Sequence, residues 1–68
     1  MVEAIRLDGL SPFIAFHSGL NRRGYLYHSG NVFELQNEED GPIFFGTNNI
    51  TRMTVSNTGD VDLANVMV

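Results

Sequence analysis

Residues 41–63, GPIFFGTNNITRMTVSNTGDVDL, decide the fold class of this chain. Gly41-Pro42 opens the stretch in extended backbone, because proline fixes its own φ and disfavours the helical region at the residue before it. Ile43-Phe44-Phe45 is too short and too aromatic for a useful helix, and Gly46 is expected to stop it. Thr47-Asn48-Asn49 is turn chemistry, since asparagine tolerates left-handed backbone and bonds its own main chain. Thr51, Met53 and Val55 then alternate with Arg52, Thr54 and Ser56, the period-two pattern of a half-buried strand. Asn57-Thr58-Gly59 turns the chain again, and Val61 and Leu63 alternate with Asp60 and Asp62. The last two strands therefore form a β-hairpin with a three-residue loop, its glycine placed where positive φ is wanted.

The same reading extends upstream. Residues 1–10, MVEAIRLDGL, suit either a helical turn or a strand, and the strand is favoured because everything after them is β. Ser11-Pro12 begins the next element, with Phe13, Ala15 and His17 on one side and Ile14 and Phe16 on the other. Both sides are apolar, so this strand is expected to be covered on both faces. Ser18-Gly19-Leu20-Asn21 is a turn, and Arg22-Arg23-Gly24 leads into Tyr25-Leu26-Tyr27-His28, with both tyrosines on one face. Ser29-Gly30-Asn31 turns into Val32-Phe33-Glu34-Leu35, and Asn37-Glu38-Glu39-Asp40 reads as a solvated acidic turn. His-Ser-Gly occurs at His17 and again at His28, too little to establish a repeat.

Composition narrows what such a chain can be. Sixty-eight residues make one domain at most. A hydrophobic content of 43% is too high for disorder, yet no run approaches the ~20 apolar residues of a membrane span, so membrane insertion is not expected. Met1 leads into Glu3 and Asp8 rather than a basic region with an apolar core, so no signal peptide is expected. There is no cysteine, hence no disulfide and no thiolate zinc site. A core this small rarely supplies more than ~3–5 kcal/mol without such staples, which points to oligomerisation. The charged residues agree: four arginines and no lysine stand against eight acids, for a net charge of −4. Lysine is a favoured device for blunting exposed strand edges, and its absence leaves edges for other copies to cover. The acidic balance argues against nucleic acid, whose binding rests on neutralising phosphates.

Residues 41–63 also resemble a known family. Their pattern is similar to the segment of bacteriophage tail fibres and tailspikes that precedes an endosialidase-type intramolecular chaperone, roughly G-x-I-x-F-x-T, a polar turn, R-M-x-I, a turn, then G-N-V-x-I. Gly41, Ile43, Phe45 and Thr47 match the first part, Arg52, Met53 and Val55 the second, and Gly59, Val61 and Leu63 the third. The chain departs from the pattern after Gly59, with Asp60-Val61-Asp62-Leu63-Ala64-Asn65 where the family continues N-V-G-I-G-T. The resemblance implies an intertwined homotrimer, a virion-tail location after synthesis in the bacterial cytoplasm, and structural roles for Phe45, Arg52, Met53, Val55 and Gly59, to which strand geometry adds Phe44. Phe44 and Phe45, as strand neighbours, face opposite ways and are both expected to be covered in the assembly.

Three groups of residues bear on chemistry. The first is Arg22 and Arg23 beside Tyr25 and Tyr27, a candidate contact for an acidic glycan such as a bacterial surface polysaccharide. Aromatic faces stack on sugar rings, and guanidinium forks hold carboxylates. Its plain alternative has the arginines pairing with the acidic turn or Glu34 and the tyrosines packing with their hydroxyls at the edge. The second is His17 and His28, which a threefold axis would multiply into a metal set, although each more simply caps a strand beside a serine. The third is Glu38, Glu39 and Asp40. Adjacent acids on a polar turn lack the separation and the apolar pocket that glycosidase carboxylates need, so no enzyme and no cofactor are expected. Arg52 is expected to reach toward Asp60 or Asp62 on the paired strand.

The resulting expectation is an all-β chain of short strands and tight turns. It would be a segment of a homotrimeric fibre or shaft, of triple β-helix or β-prism type, with a small β-sandwich or barrel as the alternative. Residues 1–68 form a single module: 1–10 an upstream connection, 11–40 strands with the ligand patch, 41–63 the hairpin motif. Its function is structural support of host attachment in a tail fibre or tailspike, with a glycan-binding tip module as the alternative.

Overall fold

The computed structural model describes residues 2–64 and is all-β. Six strands follow in order: β1 (Phe13–Ser18), β2 (Asn21–Ser29), β3 (Val32–Asn37), β4 (Ile43–Thr47), β5 (Ile50–Val55) and β6 (Val61–Leu63). They form two separate antiparallel meanders, β1-β2-β3 and β4-β5-β6. Neither closes into a barrel, and the strands pack extensively only within their own sheet, so the two do not stack as a sandwich.

Turn chemistry fixes the second meander. Asn48 and Asn49 both take positive φ, 52° and 61°, the pair of left-handed residues that a two-residue type I′ hairpin turn requires. The β5–β6 loop closes with Ser56 N–H bonding Asp60 O and Gly59 N–H bonding Ser56 O, and Gly59 sits at φ 95°. That is the expected three-residue hairpin, with Val55 opposite Val61 and Met53 opposite Leu63.

Two irregularities depart from strict alternation. Phe16 pairs with Gly24 but His17 pairs with Arg22, which leaves Arg23 as an extra residue in β2. Likewise Phe45 pairs with Met53 but Gly46 pairs with Thr51, which leaves Arg52 extra in β5. Both are β-bulges, each of which locally reverses the order of side-chain faces. Gly46 therefore does not end its strand: β4 runs on to Thr47, and Thr51 is cut off from the alternation of Met53 and Val55. Gly24 is needed because a Cβ there would lie 2.7 Å from the backbone oxygen of Gln36.

The first ten residues correct the sequence reading. Residues 2–10 form no strand. Their apolar residues, Val2, Ile5, Leu7 and Leu10, are spaced unevenly, so no single face gathers them, and all four are exposed. Arg22 and Arg23 lie inside β2 rather than leading into it.

Register defines the faces. On the first sheet Ile14, Leu26 and Leu35 stand opposite one another in a wholly apolar row, with Phe16 on one flank and Phe33 on the other, while His28, Asn37 and Arg23 share this side at its margins. The reverse side carries Phe13, Tyr27 and Glu34 in one row and Ala15, Tyr25 and Gln36 in the next. On the second sheet Ile43, Val55 and Val61 form one row and Phe45, Met53 and Leu63 the next, again wholly apolar; Phe44, Thr54 and Asp62 lie behind them. The chain covers some of these side chains partly, Leu26, Ile43, Met53 and Val55 among them, but among the described residues no apolar side chain is buried. Phe16 is 58% exposed and Phe33 69%. The accessible surface is 6068 Å², against the ~4,300 Å² of a compact monomer of this mass. The radius of gyration is 14.9 Å, where about 11 Å is usual for this length.

Candidate functional site

The bulge in β2 decides how the candidate glycan patch is built. Regular alternation would place Arg23 with Tyr25 and Tyr27 and turn Arg22 away. The extra residue reverses this, so Arg22 joins the tyrosines and Arg23 goes to the other side of the sheet, beside Phe16, Leu35 and Ile43. Three of the four sequence candidates thus come together, joined by Phe13, which the sequence did not single out, and by Glu34, which it offered only as a partner for the arginines. Phe13, Arg22, Tyr25, Tyr27 and Glu34 line one hollow of about 350 Å³. Phe13 and Glu34 were legible in principle, as the residues across from Tyr27, but only once the register was known.

The aromatic rings meet edge to face. Tyr25 and Tyr27 have centroids 6.0 Å apart and planes at 88°, and Phe13 lies 6.4 Å from Tyr27 at 64°. These are the offsets that ring quadrupoles favour. The Arg22 guanidinium carbon sits 4.9 Å from the centre of the Tyr25 ring, within cation–π range. The Tyr25 hydroxyl donates to Glu34 Oε2 at 3.3 Å. Desolvation, and then the Glu34 carboxylate, push the Tyr25 phenol above its ordinary value.

Arg22 is engaged elsewhere too. Its Nε donates to Glu38 Oε1 at 2.6 Å and its Nη2 to Glu38 Oε2 at 3.1 Å, a two-point fork. This hydrogen bonding raises the Arg22 pKa and holds the Glu38 carboxyl below the usual carboxylate range, with a smaller contribution from His17. Arg23 Nη1 donates to Glu39 Oε1 at 2.6 Å, and Asp40 Oδ1 accepts from Asn57 Nδ2 at 2.6 Å. The acidic turn is therefore not simply solvated. Each of its three carboxylates has a partner, two on β2 and one in the second sheet's loop, and Asn37 braces it by accepting from Glu39 N–H and donating to the Pro42 carbonyl. The plain alternative for the arginines, pairing with the acidic turn, is what the structure displays.

The remaining candidates stand apart. His17 and His28 lie at opposite ends of the β1–β2 ladder, and the His28 ring packs edge-on against Phe33 with centroids 6.2 Å apart. Among the described residues no three His, Asp or Glu side chains gather as a metal set within one chain. Arg52 does not reach Asp60 or Asp62. As the bulged residue of β5 it turns toward β4 instead, donating from Nε to Thr47 Oγ1 at 3.0 Å. No protein family, curated protein or solved structure matches this chain.

Proposed function

We propose that the chain is a structural module of a homotrimeric bacteriophage tail fibre or tailspike, part of the virion tail that supports attachment to the host surface. One observation carries the oligomeric part: each sheet has a contiguous apolar patch, Ile14, Phe16, Leu26, Phe33 and Leu35 on the first and Ile43, Phe45, Met53, Val55, Val61 and Leu63 on the second, none of whose side chains this chain fully buries. The surplus of roughly 1,800 Å² over a compact monomer matches the ~1,000–2,500 Å² per partner of obligate assemblies. The threefold arrangement and the phage setting rest on the resemblance of residues 41–63. The role is mechanical: strands whose apolar faces are buried only by other copies lock the copies together, and no catalytic group takes part.

Val55 and Thr54 are strand neighbours on opposite faces, so they give a paired test. Val55→Lys puts a charge on the apolar face and should dissociate the trimer in sedimentation velocity. Thr54→Lys puts the same charge beside Asp62 and should leave the trimer intact. Dissociation by both, or by neither, would contradict the assignment of the buried face.

A further inference from the structure

We infer that the hollow formed by Phe13, Arg22, Tyr25, Tyr27 and Glu34 binds an uncharged pyranose residue of a glycan. The volume of about 350 Å³ lies at the lower end of the range of small-ligand sites. Its walls are aromatic, and its two charged groups are of opposite kind. Glu34 only accepts hydrogen bonds when ionised. Arg22 only donates, and with Nε and one Nη2 proton held by Glu38 it keeps three further donor positions. A sugar diol is donor and acceptor at once, and its C–H face is apolar, so one ring would satisfy Glu34, Arg22 and an aromatic wall together.

The same geometry disfavours charged ligands. An acidic sugar would meet the Glu34 carboxylate, while the Arg22 charge is already balanced by Glu38 and Arg23 lies on the other side of the sheet. A cationic ligand would find the Tyr25 ring already occupied by the Arg22 guanidinium. The neutral sugar replaces the acidic glycan that the sequence suggested. The inference draws on the proposed module in one respect only: burying the apolar side of the first sheet between copies turns this tyrosine side outward.

The chain contains two tyrosines and no tryptophan, and both tyrosines line the hollow, so tyrosine fluorescence reports directly on it. The full chain would be titrated with the methyl glycosides of glucose, galactose and mannose, and in parallel with sialic acid and with choline. A saturable response to at least one neutral glycoside is expected, exceeding that to either charged probe. Glu34→Gln, which keeps the shape, should weaken binding about tenfold, as should Tyr27→Ala where circular dichroism shows it folded. Arg23→Ala should bind like the parent chain. Absence of saturation with every neutral glycoside, a response confined to sialic acid or choline, or equal loss in Arg23→Ala would each overturn the inference. Sedimentation of the same samples separates the two readings, since a trimer without sugar binding refutes the hollow alone and a sugar-binding monomer refutes the fibre module alone.

Discussion

At the residue scale, one extra residue changes the chemistry of a surface. Arg22 and Arg23 are equivalent in sequence, yet the bulge sends one over Tyr25 and the other toward Leu35. Alternation read from Tyr25 alone cannot see this, because nothing in Arg22-Arg23-Gly24 announces a bulge, and Gly24 is legible as a close-approach glycine only after β3 is in place. The environment of Tyr25 gives a pH test. A tyrosine whose pKa is raised on folding favours the fold below its ordinary value, and that contribution is lost as pH rises through the higher folded value. In Tyr27→Phe the remaining tyrosinate absorbance should appear with a midpoint above the ordinary value of about 10, and a midpoint at or below it would contradict the desolvated, Glu34-facing placement. Glu38 works in the opposite sense: its lowered pKa keeps the Arg22 fork intact above the usual carboxylate range, and the contribution is lost as pH falls through the folded value. Phe45 and Phe44 offer a second comparison. Phe45 stands with Met53 and Leu63 on the apolar face, whereas Phe44 stands with Thr54 and Asp62. Phe45→Ala should therefore cost ~3–5 kcal/mol per chain in the assembly and Phe44→Ala clearly less, measured by chemical denaturation.

At the element scale, the meanders are specified by their turns. The two asparagines at Asn48-Asn49, the glycine of Asn57-Thr58-Gly59 and the alternation of Val61 and Leu63 were legible because turn chemistry and period-two patterning are local. Residues 2–10 were misread for the complementary reason: a strand needs a partner as well as β company, and unevenly spaced apolar residues gather no face to dock. The Asn48-Asn49 turn can be improved. Glycine takes positive φ at no steric cost, so Asn49→Gly should stabilise the hairpin by about 0.5 kcal/mol, and an unchanged or lower melting temperature would argue against the I′ geometry. Gly46→Ala should act in the other direction, since its Cβ would lie 2.8 Å from the backbone oxygen of Ile50. The hairpin would have to shift, at a cost of roughly 1–3 kcal/mol.

At the scale of the whole molecule, the sequence points to a chain that cannot complete a core alone: short, without cysteine or lysine, and apolar on both sides of several strands. The two sheets agree, each with a contiguous apolar patch and no buried apolar side chain among the described residues. The division into two three-stranded sheets was not legible, because a five-residue connection separates β3 from β4, where the sheet breaks, and an equally long one joins β5 to β6, which pair. The break falls at the acidic turn, whose pairing with Arg22, Arg23 and Asn57 depends on contacts between residues far apart in the chain. The most direct test of the central claim is sedimentation equilibrium of the chain at micromolar concentration, with circular dichroism on the same sample. The account requires β-structured material with a mass of 22.8 kDa (3 × 7.6) that does not dissociate on dilution before it unfolds. A stable, folded 7.6 kDa monomer would contradict it.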